Sequence, residues 1–165
     1  MLRLLFGIGL LILYWNYLYA DFRKTETIRE YIYNFSVSGG ASNTLIDVSE
    51  ATTGSTKLPL YSSVEEVTVK VITPLVSSSM GTSLTIGNST SGSGYFLARP
   101  VSDFTDNAVY VGNGGLIFDN TNKIRKSNFV SGTNDRNIGL TISAGTTLTA
   151  GKLLLKVKSY FWSED

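Results

Sequence analysis

From Tyr31 onward the chain is a succession of short runs in which β-branched and aromatic residues alternate with polar ones. Each run is closed by a cluster of Gly, Ser, Asn or Thr. Alternation with a period of two is the signature of a strand with one face buried, and the clusters between runs carry turn chemistry. The clearest run is Val64–Thr73, where Val67, Val69 and Val71 point one way and Thr68 and Lys70 the other. Ile138, Leu140 and Ile142 repeat that design, as do Leu153, Leu155 and Val157 with Lys156 and Lys158 outside. Strands are expected at Tyr31–Val37, Thr44–Val48, Lys57–Leu60, Val64–Thr73, Ser83–Ile86, Tyr95–Ala98, Ala108–Val111, Leu116–Phe118, Asn128–Val130, Ile138–Ile142 and Leu153–Phe161. Between them, Ser38-Gly39-Gly40, Ser91-Gly92-Ser93-Gly94, Gly112-Asn113-Gly114-Gly115 and Ser143-Ala144-Gly145 supply the positive φ that tight connections need. No segment of helical period and length follows residue 30. Many short strands without a long helix predict an all-β domain, read here as an antiparallel β-sandwich of jelly-roll type with the two longest runs as central partners.

The front of the chain is of another kind. Leu4 to Ala20 carries no charge, and its one strongly polar side chain is Asn16. As a helix it would span roughly 26 Å, a little under the ~30 Å hydrocarbon core of a bilayer. Leu4, Leu5, Phe6, Ile8, Leu10, Leu11, Ile12 and Leu13 form its greasy part, and Tyr14, Trp15, Tyr17 and Tyr19 crowd its end like an interfacial belt. Arg3 on one side and Arg23 and Lys24 on the other can snorkel toward headgroups. The expectation is an N-terminal hydrophobic α-helix serving as membrane anchor, in competition with a cleaved signal peptide and a buried core helix. The bulky residue at Leu18 weighs against cleavage after Ala20. Asp21 to Glu30 reads as a prolongation of this helix, with Glu26 and Glu30 a mildly unfavourable like-charge pair. The domain organisation is therefore 1–30, anchor helix and short linker, and 31–165, sandwich.

Two absences narrow the chemistry. The chain of 165 residues has no His and no Cys, which removes imidazole- and thiol-based nucleophile schemes, thiolate zinc sites and disulfides. With 16% charged residues and a net charge of +1, its surface is neutral and polar, which argues against electrostatic nucleic-acid binding. No cofactor and no catalytic residue is expected, and the protein is read as non-enzymatic.

The remaining candidates for chemistry are few. Asp119-Asn120-Thr121-Asn122 is oxygen-rich, but Ile124 and Val130 stand where a calcium loop needs Gly and a bidentate Glu, so it reads as a polar hairpin turn. Asp103, Asp106 and Asp119 could converge on a cation only through the fold. Glu65 and Glu66 open a strand, and simple alternation puts them on opposite faces. Lys123, Arg125 and Lys126, with Arg136, form the one dense basic region, either a phosphate contact or a solvated loop. Tyr160, Phe161 and Trp162 form an aromatic run suited either to closing the sandwich or to anchoring a partner subunit.

The stretch VEEVTVKVITPLVSSSMGTSLTIGNSTSGSGYFLA resembles a pattern of small structural proteins of bacterial viruses, in which a valine-alternating strand leads to a strand like Ser83-Leu84-Thr85-Ile86-Gly87. The closing ISAGTTLTAGKLLLKVKSYF, from Ala144-Gly145 through Ala150-Gly151, is similar to the usual ending of such domains. The resemblance covers roughly residues 44–161. It implies a capsid, spike or fibre component of a virion and no enzyme, with Lys123, Arg125 and Lys126 available for salt bridges to a neighbouring subunit. The anchor-like front departs from that pattern and suits a phage with an internal lipid membrane. There a minor capsid, penton or spike-base protein would be a homo-oligomer tied to the bilayer and to other capsid proteins. A pilin-like filament subunit and a membrane-tethered carbohydrate-binding spike module stay open as alternatives, the latter resting on Tyr95, Tyr110 and Trp162.

Overall fold

In the computed structural model, the described residues are 23–59, 62–88, 94–112, 117–119, 124–126, 128–130 and 137–163, with side chains described for 25–59, 62–88, 94–112 and 137–160. The elements are β1 (Arg23–Asn34), α1 (Phe35–Ser38), β2 (Leu45–Asp47), β3 (Ser49–Glu50), β4 (Ser62–Ser77), β5 (Ser83–Asn88) and β6 (Phe96–Pro100). There follow a 3-10 turn (Val101–Asp103), β7 (Val109–Gly112), β8 (Ile117–Asp119), β9 (Ile124–Lys126), β10 (Asn128–Val130), β11 (Ile138–Ile142) and β12 (Leu148–Ser163).

Two antiparallel sheets hold the core between them. Sheet A runs β10-β4-β12-β1-β3, with β7 also on β4, and sheet B runs β2-β11-β5-β6. A short β8–β9 pair stands apart. The chain changes sheet repeatedly: β1 is in A, β2 in B, β4 in A, β5 and β6 in B, β7 in A, β11 in B and β12 in A. The inward residues are those the alternation marks. Val67, Val69, Val71, Leu153, Leu155, Val157, Ile138, Leu140 and Ile142 are buried, and they join Tyr31, Tyr33, Leu84, Ile86 and Phe104 in one cluster. Each such side chain contributes roughly 1.5–3 kcal/mol through burial, which is what fixes register face by face.

The segment expected as helix and linker differs. Arg23–Asn34 is a 12-residue strand paired residue for residue with β12, from Arg23 opposite Ser163 to Asn34 opposite Lys152. The reason is energetic. As a helix this stretch would stack Glu26 over Glu30; as a strand it gives each a lysine of β12, Lys158 for Glu26 at 3.3 Å and Lys156 for Glu30 at 3.0 Å. Thr25, Thr27 and Ile28 also favour extended backbone, and the Thr27 hydroxyl lies 3.0 Å from that of the buried Ser159. Leu4–Ala20 lies outside the described residues. Among the described residues no helix is long and apolar enough to cross a membrane.

Other expectations shift less. Of the strand expected at Lys57–Leu60, the described residues 57–59 give an isolated bridge, Lys57 to Asn137, and Phe35–Val37 turns into α1, capped by the Asn34 side chain accepting from the Ser36 amide. Glu65 and Glu66 do not alternate. A register shift between Lys158 and Ser159 puts an extra residue in β4 between the buried Val64 and Val67, a β-bulge that leaves both carboxylates away from the core.

Two outcomes test this packing. A Cβ at Gly139 would lie 2.5 Å from the Ile46 carbonyl oxygen, so Gly139→Ala should cost about 2 kcal/mol or more and lower the urea midpoint. Burial pushes the Tyr33 phenol up from 10.0 to about 12. The folded state therefore keeps its full advantage below pH 10 and loses it as pH climbs from 10 through about 12. Tyr33→Phe should shrink the alkaline loss of stability in that window, as read by denaturation at stepped pH.

Candidate assembly surface

The outer face of sheet A holds the densest set of interacting polar side chains among the described residues. Because Leu153, Leu155, Val157 and Ser159 are the inward positions of β12, Lys156, Lys158 and Tyr160 fall outward, opposite Glu30, Ile28 and Glu26 of β1. The Tyr160 hydroxyl donates to Glu26 Oε2 at 2.9 Å. Lys158 Nζ lies 3.3 Å from Glu26 Oε2 and 3.4 Å from Glu65 Oε2, and 5.6 Å from the Tyr160 ring centroid. The bulge is what brings Glu65 into reach. The Tyr160 hydroxyl and then Glu26 hold the Lys158 ammonium above its ordinary range, so it stays charged into strongly alkaline solution. The Tyr160 phenol is raised too, first by the carboxylate of Glu65 and then by that of Glu26. The arrangement is a locked mesh of complementary charges, with Lys158 about a third exposed (34%).

Of the residues expected at a subunit interface, Tyr160 sits in this mesh. Phe161 and Trp162 follow in β12, Trp162 opposite Lys24 at the start of β1, and their side chains lie outside the described residues. Arg125 and Lys126 are placed in β9, opposite Phe118 and Ile117. Lys123 lies outside the described residues, as do the anchor residues Leu4 through Trp15. The basic run and the aromatic run are therefore on different elements, and no contact between them is given.

The other candidates are spent on structure. Asp103 pairs with Arg99 at 3.7 Å and its carbonyl accepts from the Tyr110 hydroxyl. Asp106 accepts from Asn107 at 3.0 Å. Asp119 stands opposite Ile124 in the β8–β9 pair, and Asn120, Thr121 and Asn122 lie outside the described residues. Among the described residues no group of three or more acidic side chains could hold a metal ion. Tyr95, read as a sugar-stacking platform, is buried (2% exposed) with its hydroxyl receiving the Asn88 amide at 3.1 Å. Tyr110 lies under the Arg99 guanidinium, 4.6 Å from its ring centroid, and against Phe104. Neither offers an open aromatic face.

Sequence reasoning placed Lys156 and Lys158 outward but missed their partners, Glu30 for Lys156 and Glu26 with Glu65 for Lys158. Glu26 and Glu30 share a strand face by period two, but they are four positions apart and the lysines two: Glu30 stands opposite Lys156, while Glu26 stands opposite Tyr160 and meets Lys158 diagonally. No signal for the bulge existed in one sequence.

No protein-family model matches the chain, and no curated protein matches it. Among solved structures, the chain is similar to a chain of the cyanophage Pam1 capsid asymmetric unit, with a TM-score of 0.55 at 15% identity over 84% of this chain and 86% of that one. It also matches a chain of the acidic stable capsid of Helicobacter pylori bacteriophage KHP30, with a TM-score of 0.43 at 14% identity over 85% of this chain and 93% of that one. The class defined by the fold is an all-β antiparallel sandwich. It is shared with the Pam1 chain, which meets at the level of fold the resemblance to phage structural proteins.

The mesh gives a measurable consequence. Replacing Glu26 and Glu65 together by Gln should bring the Tyr160 phenol back toward 10.0, read as an earlier 295 nm absorbance step that Tyr160→Phe abolishes. Since the groups are solvent-screened, the same double substitution should change stability by no more than about 1 kcal/mol.

Proposed function

We propose that this protein is a non-enzymatic structural component of a phage virion, a jelly-roll sandwich that works by subunit assembly and is tied to a lipid bilayer by its apolar front. The observation that carries the reading is the two-sheet fold it shares over 84% of its length with a chain of the Pam1 capsid asymmetric unit. The winding supports the jelly-roll assignment. The order β1-β12-β4-β7 in one sheet and β2-β11-β5-β6 in the other is what a long hairpin gives when wrapped so that successive strands swap sheets.

The chemistry of the surface supports a scaffold. Its charges neutralise one another locally, leaving a neutral face rich in hydroxyls that suits short-range packing against other capsid proteins and further copies. A role at a vertex, as minor capsid, penton or spike-base protein, follows from the apolar segment. Arg23 stands opposite Ser163 and Lys24 opposite Trp162, so β1 begins at the end of the sheet where Tyr160-Phe161-Trp162 finishes. Aromatic and basic positions at that point suit the headgroup level of a bilayer, in this reading the internal membrane of the virus.

The experiment is flotation with liposomes combined with recovery of the protein from virus particles. The full chain should float, and Leu11→Lys, which adds about 2.5–3.5 kcal/mol at the centre of a spanning helix, should release it. A chain beginning at Arg23, which keeps β1 whole, should stay in solution. Retention of the protein by delipidated particles and failure of the full chain to float would remove the membrane tie. Filaments seen by negative stain would replace the shell reading with the pilin-like one.

A further inference from the structure

The loop between β4 and β5 carries the chain from sheet A to sheet B, and it holds an apolar side chain out in water. Met80 is fully exposed (101%), although the loop around it is tied down. Ser77 Oγ donates to the Ser79 carbonyl at 2.8 Å, and Thr82 Oγ1 donates to the same carbonyl at 2.7 Å. The Ser78 amide donates to the Thr147 carbonyl, the Thr147 amide returns a bond to Ser78 Oγ at 3.0 Å, and the Val101 amide donates to the Thr82 carbonyl. Gly81 closes the turn at a φ of 84°. A loop held this way has already lost the entropy that binding would otherwise take from it.

Beside the knob lies a hole. Met80 borders a cleft of about 390 Å³ whose apolar walls are Leu75, Val76 and Val101 and whose hydroxyls come from Ser77, Thr82 and Ser102. Leu75 and Val101 belong to the core cluster, while Val76 is half exposed (50%). At full exposure Met80 does not fill this cleft itself. The surroundings carry no charge. From Val71 to Ala98 the chain has no Asp, Glu, Lys or Arg, and neither has 137–151, the stretch that supplies Thr147. Arg99 and Asp103, which flank Val101 and Ser102 in sequence, pair with each other at 3.7 Å.

We propose that Met80 enters the cleft of a second copy of the chain while that copy's Met80 enters the first, about a two-fold axis between the two loops. Two features select a copy of this chain over an unlike protein. A two-fold contact needs a patch that complements itself, and here knob and cleft share one loop. Unlike partners take much of their specificity from complementary charge, and this surface has none to offer. When it meets itself it also sets no like charges against each other. Methionine suits the role, because its unbranched thioether adapts to an irregular cleft.

One loop and one cleft per copy fall well short of the roughly 800 Å² per partner of a standard interface. The contact is therefore weak, with a dissociation constant of about 0.1–1 mM. Copies held side by side meet at effective concentrations of that order. In this respect the inference rests on the proposed virion role, which supplies the crowding. The contact itself is read in solution, without capsid or vesicle.

The full chain has no Cys, so introduced thiols report one contact at a time. Under mild oxidation M80C mixed with S102C should give the mixed disulfide, identified by intact mass, several-fold faster than M80C mixed with V37C. Val37 is 81% exposed and stands outside the cleft lining, so it measures random collision. The native sulfur gives a second reading. Peroxide oxidation of Met80, measured against methionine added to the same sample, should slow about twofold or more as the protein rises from about 10 μM to about 1 mM. V76K, which puts a charge into the cleft wall, should abolish that protection, and V76I should keep it, both with an unchanged circular dichroism spectrum. The proposal fails if Met80 oxidises at the same relative rate across the range, if V76K is as protected as the native chain, or if M80C links to V37C as readily as to S102C. Flotation and recovery from particles are read separately, so loss of this contact and loss of the virion reading are distinct results.

Discussion

The β4–β12 ladder is the constraint on which the remaining structure is built. Val67 stands opposite Val157, Val69 opposite Leu155 and Val71 opposite Leu153, and all six are buried. This pairing joins the middle of the chain to its last strand. It commits one face of both strands to the core, and it supplies the edges on which β1, β7 and β10 add. Sheet B closes over that face with Leu84, Ile86, Ile138, Leu140 and Ile142. A contact so distant in sequence carries a loop-closure cost before any apolar burial offsets it, so the fold belongs to the slow, non-local kind.

The same ladder decides where charge can go. With the buried positions Leu153, Leu155 and Val157 apolar, Lys156 and Lys158 of β12 take the outer face, and β1 answers with Glu30 directly opposite Lys156 and Glu26 diagonal to Lys158. The bulge at Glu65 adds a third acidic group beside Lys158. On this face, among the described residues, Glu26, Glu30 and Glu65 thus meet Lys156 and Lys158 at close range, which weakens the field they project. Close pairing of this kind gives little long-range steering, because opposite charges a few ångströms apart largely cancel at a distance.

Much of this was legible in the residues and some of it was not. The strands at 128–130 and 138–142 and the centres of β4, β5, β7 and β12 follow from period-two alternation, because burial on one face is all that such a pattern encodes. Residues 23–30 were misread because, taken alone, their polar periodicity fits a helix; the lysines that make them a strand lie more than a hundred positions away. Glu65 and Glu66 were misread because alternation assumes an unbroken ladder. Tyr95 looked like an available ring, since type alone does not tell a buried phenol from an exposed one.

The sequence by itself determined the class of fold, the inward faces of its main strands and the exclusion of imidazole and thiol chemistry, since each of these is a property of local pattern or of composition. Only the tertiary structure decided the sheet order, the bulge, the partners of Lys156 and Lys158, and the cleft that Met80 borders. Those depend on which distant strands meet and in what register, and that is settled by the summed fit of many side chains across two sheets and written in no single segment.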